Sequence, residues 1–183
     1  KFIPVEECIG IPIVMLASRM LWDKGVGEFV EAAKILNQGG VEACFVLVGE
    51  GDSENPASIS NSQLSEWNAL DTVEWWGEKN DMHKVLTQAH IVCLPSYREG
   101  LPKVLLEAAS CGRPIIATDV PGCREIVHNS ENGILVPLRN ANSLASAIKE
   151  LINNPKKRKI MGINGRRLVE NEFSEEIVVN QTM

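Results

Sequence analysis

Six short apolar runs, each separated from the next by a turn or a helix-length segment, constrain this chain more than any other feature. They are Ile11–Ala17, Cys44–Val48, Val73–Trp75, Ile91–Leu94, Ile115–Thr118 and Gly133–Val136. A strand that is apolar along its whole length is buried on both faces, unlike one that alternates with polar residues. Between the runs, apolar residues recur at helical spacing, as in Val26, Phe29, Val30 and Ala33, which Gly39-Gly40 terminates. Further helices are expected over 59–70, from an N-cap at Asp81 through Thr87, and over 102–110, with Pro102 in the first turn and Gly112 past the end. After Pro137 the pattern is helical through Leu144, Ala147, Ile148 and Leu151, then over 160–170 and 175–180. Strands of this kind alternating with helices mean an α/β, Rossmann-like, doubly wound parallel sheet of about six strands. Such sheets bind ligands at the carboxyl ends of their strands.

The chain has 183 residues, 44% of them apolar and 23% charged, which suits one soluble globular core. Its net charge of −6 argues against nucleic acid as a partner, so any anion must be bound by local groups. The five cysteines are odd in number and contain no CxxC pair. They read as reduced, with Cys44 and Cys93 as small core residues, which points to the cytoplasm. His83, His90 and His128 do not pair at metal-ligand spacing, and no metal or cofactor is expected. No run approaches the roughly 18 apolar residues of a membrane span, and no signal peptide is visible. The abrupt Lys1-Phe2-Ile3-Pro4 start suggests a fragment of a longer protein. Residues 1–10 then read as an interdomain linker and 11–183 as one C-terminal domain.

The chemistry concentrates in the segment from Ser96 to Ala108, SYREGLPKVLLEA. It places Glu99 in a loop before a helix and Glu107 about a turn and a half inside it. The N–H groups of Gly100, Leu101, Lys103 and Val104 lie near that helix start, where unpaired donors form an anion site. Carboxylates accept from hydroxyls. One segment thus offers phosphate and hydroxyl contacts together, as a nucleotide sugar requires. Glu99 and Glu107 are equally readable as a dipole-stabilising carboxylate and a surface residue. Arg19 and Lys24 leave the end of the first strand and either neutralise a diphosphate or are solvated cations. Gly49 and Gly51 read as a turn, since neither GxGxxG nor a P-loop pattern is present. In Trp75-Trp76-Gly77 one Trp reads as core and the other, with the Gly backbone, as the border of a nucleobase.

These residues resemble the E-x7-E motif of retaining GT-B glycosyltransferases of family 4. Glu99 and Glu107 have the motif's spacing, within Leu94-Pro95-Ser96-Tyr97-Arg98-Glu99-Gly100-Leu101-Pro102. Residues 17–25, ASRMLWDKG, resemble the family's Arg/Lys phosphate loop. The stretches 46–49, 112–119, 121–127 and 132–137 are similar to its strand signatures, so the likeness covers nearly the whole chain.

The resemblance implies the C-terminal, donor-binding half of a two-domain enzyme. Such an enzyme transfers a sugar, with retention, from a nucleotide sugar such as a UDP-sugar to a glycan or lipid-linked acceptor. Arg19 and Lys24 would hold the diphosphate, and Glu99 would contact the transferred sugar. The backbone of Gly100, Leu101, Lys103 and Val104 would bind sugar and phosphate, Glu107 the ribose, and Trp76 with Gly77 the base. The acceptor would come from a missing N-terminal domain, leaving the isolated fragment inactive, and the full-length protein would meet the inner face of the membrane peripherally. A nucleotide-sugar epimerase, a glycan phosphorylase and a binding-only domain stand as alternatives.

Overall fold

A computed structural model describes residues 2–173; the helix expected over 175–180 lies outside them. All six expected strands form: β1 (Ile13–Ala17), β2 (Cys44–Val48), β3 (Glu74–Trp75), β4 (Ile91–Leu94), β5 (Ile115–Thr118) and β6 (Gly133–Val136). They make one sheet in the order β3-β2-β1-β4-β5-β6, every pair parallel. Order reverses between β1 and β4, and a crevice opens at such a switch point outside the carboxyl ends of the strands.

The sheet is covered on both faces, which is why its strands are apolar throughout. Val14, Leu16, Phe45 and Leu47 point to one side, with α1 (Val26–Gln38), α2 (Asn61–Ala69) and α6 (Ala141–Ile152). Met15, Ala17, Val46 and Val48 point to the other, with α3 (Met82–Leu86), α4 (Lys103–Ser110) and α5 (Pro121–Arg124). The long α7 (Pro155–Glu172) packs along α4.

Several element ends differ from expectation for local reasons. β1 starts at Ile13 because Pro12 has no N–H to donate and Ile11 is exposed. α2 starts at Asn61 because the Ser60 hydroxyl accepts from the Gln63 N–H and caps it there. Pro102 is the extended N-cap of α4 rather than part of its first turn. α7 starts at Pro155, capped by the Asn154 side chain, five residues before the apolar pattern that marks it. α5 and a 3-10 turn at Trp22–Lys24 were not expected. Cys93 is buried, but Cys44 is only half-buried, and its thiol donates to Glu74 at 3.1 Å. The segment before β1 lies along the domain, with Arg113 donating to the Val5 carbonyl (2.9 Å) and Arg158 paired with Glu7 (2.9 Å).

Candidate functional site

The loops that follow β1 and β2 are stitched together by their backbones. Ser18 N–H donates to Val48 (3.0 Å), Met20 N–H to Glu50 (2.8 Å) and Ile59 N–H to Met20 (2.9 Å). Gly49 makes this approach possible. It has φ +132°, and a Cβ there would lie 1.9 Å from the Ser18 carbonyl oxygen. Its N–H also donates to Gly77 at 2.8 Å, which ties in the end of β3. The stitched loops form one wall of a cleft of about 660 Å³, and the first turns of α4 form the other.

Arg19 stands in the first wall and Lys103, Val104 and Glu107 in the second. Glu107 is enclosed, its side chain 14% exposed, with the Lys103 ammonium 3.6 Å away on the helix surface. Side chains on a helix lean toward its N-terminus, so this carboxylate sits close to the unpaired N–H groups that begin α4. Arg19 is largely exposed and pairs with Asp52 at 2.8 Å. The cleft therefore presents a hydroxyl-accepting carboxylate, a helix N-terminus and an exposed guanidinium within one concave surface.

Lys24 and Glu99 lie beside this cleft rather than in its wall. They form an ion pair at 2.7 Å, with side chains 20% and 11% exposed. Their positions are fixed from behind. The Ser96 hydroxyl bonds to the Asp23 and Arg98 carbonyls (3.2 and 3.3 Å), and Tyr97 N–H donates to Asp23 (2.8 Å). The Thr118 hydroxyl at the end of β5 donates to the Ser96 carbonyl. The phenol of Tyr97 donates to Glu28 on α1 at 2.6 Å, and burial, then that carboxylate, pushes its pKa up to about 12. α5 abuts the loop at Gly122, where a Cβ would lie 2.1 Å from the Gly100 carbonyl oxygen. Burial above all, and then the Glu99 charge, push the neighbouring Cys123 thiol up to about 12, so it is a packing group and not a nucleophile. Gly100 and Leu101 are exposed at the mouth of the loop.

Trp76 and Gly77 do not line the cleft. The Trp76 indole donates to Glu74 at 2.8 Å and its ring packs on the core. Trp75 donates to the Gly49 carbonyl, also at 2.8 Å. The wall continues instead through Glu78, Lys79 and Met82, and through Glu50, Asp52, Ser53 and Glu54 on the loop after β2. Sequence reading missed these residues, although they follow strands just as Arg19 does; reading Gly49 and Gly51 as a plain turn hid them. Among the described residues no group of three or more His, Cys, Asp or Glu is placed to hold a metal ion.

Residues 10–168 match the family model described as "Glycosyl transferases group 1". A Campylobacter jejuni N,N'-diacetylbacillosaminyl-diphospho-undecaprenol alpha-1,3-N-acetylgalactosaminyltransferase is 39% identical over 147 residues, 80% of this chain and 37% of that protein. An Escherichia coli UDP-Gal:alpha-D-GlcNAc-diphosphoundecaprenol alpha-1,3-galactosyltransferase is 28% identical over 175 residues, 92% of this chain and 44% of that protein. Sucrose-phosphate synthase from Thermosynechococcus elongatus superimposes with a TM-score of 0.85 at 30% identity, over 99% of this chain and 48% of that one. HepE from Anabaena, solved in complex with UDP, shares the fold with a TM-score of 0.82 at 23% identity, over 94% of this chain and 47% of that one. The chain spans less than half the length of each of these proteins.

Proposed function

The chain belongs to the group 1 glycosyl transferases, and we propose that it is the donor-binding half of a retaining, family 4 enzyme of the GT-B fold. In this reading residues 11–183 form the C-terminal domain, residues 1–10 lead in from an acceptor domain, and the donor is a UDP-sugar. The acceptor is a glycan or a lipid-linked saccharide. The names of the Campylobacter and Escherichia relatives carry an undecaprenol-linked acceptor, which supports a site of action at the inner face of the membrane. No helix among the described residues is long and apolar enough to cross a membrane.

One observation carries the reading: Glu107, 14% exposed, faces a cleft that Arg19 and the start of α4 also line. Paired ribose hydroxyls are donors without a formal charge, and an enclosed carboxylate is a strong acceptor for both. The α4 N-terminus and Arg19 supply positive potential for the diphosphate next to it. In this reading the sugar end of the donor extends past the cleft to the adjoining Lys24–Glu99 pair, where Glu99 contacts sugar hydroxyls and Lys24 turns toward the departing phosphate. Charge grows on the diphosphate as the glycosidic bond breaks, and fixed cations stabilise that charge in the transition state.

The test is calorimetric titration of UDP and UDP-sugars into the full-length protein. Glu107→Ala removes charge-assisted hydrogen bonds, each contributing about 1.5–3 kcal/mol, so affinity falls roughly tenfold or more. Lys24→Ala lowers turnover more than donor affinity, since its charge acts chiefly in the transition state. An absence of nucleotide affinity in the wild type would overturn the reading. Retention is read from the anomeric configuration of the product by NMR.

A further inference from the structure

The cleft has an unexpected charge balance. It is lined by three cations, Arg19, Lys79 and Lys103, against the five carboxylates of Glu50, Asp52, Glu54, Glu78 and Glu107. A wall built only to hold a diphosphate would carry the opposite excess. Among the described residues these carboxylates form no group placed to hold a metal ion, so metal binding does not account for them. Three of them, Glu50, Asp52 and Glu54, sit on the loop after β2, which is the loop stitched to the one carrying Arg19.

The contact between the two loops is specific. Arg19 Nη1 donates to Asp52 Oδ2 at 2.8 Å, while Asp52 Oδ1 accepts from the Glu54 N–H at 3.2 Å. The Asp52 N–H donates to the Ser58 hydroxyl at 2.9 Å, and Ser58 pairs back to Leu21 in an isolated bridge. Asp52 is thus held by its own loop, independently of Arg19, at hydrogen-bonding distance from the guanidinium. A guanidinium offers its donors to one planar anion at a time on a given edge.

We propose that Asp52 is a positioning residue that acts as a competing counter-ion for Arg19: the donor's diphosphate must displace it, and Asp52 recaptures Arg19 as the nucleoside diphosphate leaves. This rests on the donor-site reading above. No bond is made or broken; the step is an exchange of one anion for another on the same cation. Its consequence is a ceiling on affinity for the nucleoside diphosphate product, which would otherwise be held by Arg19, Lys103 and the α4 N-terminus together. Because the pair is exposed, the competition is modest and is weakened by salt.

The experiment is a double-mutant cycle on UDP affinity in the full-length protein, with Asp52→Asn, Arg19→Ala and both together. Asp52→Asn keeps an oxygen for the Glu54 N–H, so the loop is retained while the charge is removed. UDP is expected to bind the Asp52→Asn variant about threefold to fivefold more tightly than the wild type. The gain should shrink below about twofold in the Arg19→Ala background, since the two residues are coupled. Asp52→Ala should change affinity in the same direction, and the gain should persist in EDTA and decline as salt is raised. A gain of affinity is an outcome that damage to the fold does not produce. Wild-type protein that binds UDP while Asp52→Asn binds it equally or less tightly overturns the proposal and leaves the donor site standing. A gain independent of Arg19, or one abolished by EDTA, also overturns it. Wild-type protein that does not bind UDP overturns the donor site and the proposal together.

Discussion

At Gly49 two constraints meet on one residue. The φ of +132° is one that side chains rarely adopt, and the space a Cβ would need is filled by the Ser18 carbonyl. Gly49→Ala therefore both strains the backbone and pushes the β1 and β2 loops apart, at a cost of roughly 2–4 kcal/mol. Urea denaturation should show the midpoint falling with little change in slope, and Arg19 should lose its place in the cleft, so donor affinity should fall with stability. A variant as stable as the wild type would show that the loops do not depend on that contact. The cysteines make a second residue-scale case. Burial pushes the Cys123 thiol up to about 12 and Cys111 up to about 11, and raises Cys93 further in the same direction. Burial and then the Glu74 carboxylate take Cys44 up to about 12. Raised values mean neutral thiols at pH ~8, where only a thiolate is alkylated. Cys8 is exposed. Native protein treated with iodoacetamide should carry one modification, on Cys8, when analysed by mass spectrometry.

Elements show why some of the fold was readable and some was not. Four strands, β2, β4, β5 and β6, have the expected bounds because burial on both faces leaves a continuous apolar signature. α5 escaped because Pro121–Arg124 is a single turn, too short for a 3.6-residue period to register, yet its Gly122 backs the Glu99 loop. The first turn of α7 escaped because it opens Pro155-Lys156-Lys157-Arg158-Lys159, and tertiary packing of Arg158 on Glu7, not an apolar stripe, fixes it there. Caps were legible: Asp81 was expected as the cap of α3 and accepts from the Lys84 N–H. That bond holds the Asp81 carboxyl below its ordinary value of 3.8, and Arg124 does the same for Asp119 at the start of α5. A carboxyl whose folded pKa is depressed stabilises fully above its unfolded value and less as pH falls through the folded one. Stability from these two groups should be constant from neutral pH down to about pH 5 and decline below about pH 4. Asp81→Asn keeps an N-cap oxygen without the titrating proton, so thermal melts of this variant should fall less steeply with acid than those of the wild type. An unchanged acid slope would show that the cap carries no linkage.

At the scale of the whole molecule, the parallel six-stranded sheet and its strand-end loops were implied by the alternation of apolar runs and helices, though the strand order was not, and Arg19, Lys103, Val104 and Glu107 do share one cleft. What sequence could not carry was the pairing of the β1 and β2 loops, because it depends on backbone approach at Gly49 rather than on side-chain type. That pairing adds Asp52 to the site and leaves the Lys24–Glu99 pair to one side of the cleft. Both faces of the sheet have their own buried core within the described residues, so the chain has what independent folding requires. In the donor-half reading it also has the ribose and diphosphate contacts but no acceptor contact, and rate depends on holding both reactants in reacting geometry. Binding and turnover should therefore separate. The isolated chain should bind UDP, and at a ligand concentration about 100 times Kd the folded state gains about 2.7 kcal/mol. For a domain of this size that raises Tm by roughly 5–10 °C, measurable by thermal shift. Transfer from a UDP-sugar to a lipid-linked acceptor should be lost in the isolated chain and present in the full-length protein under the same assay. Turnover by the chain alone at the full-length rate would show that the acceptor site lies within residues 11–183, and the two-domain reading would fail.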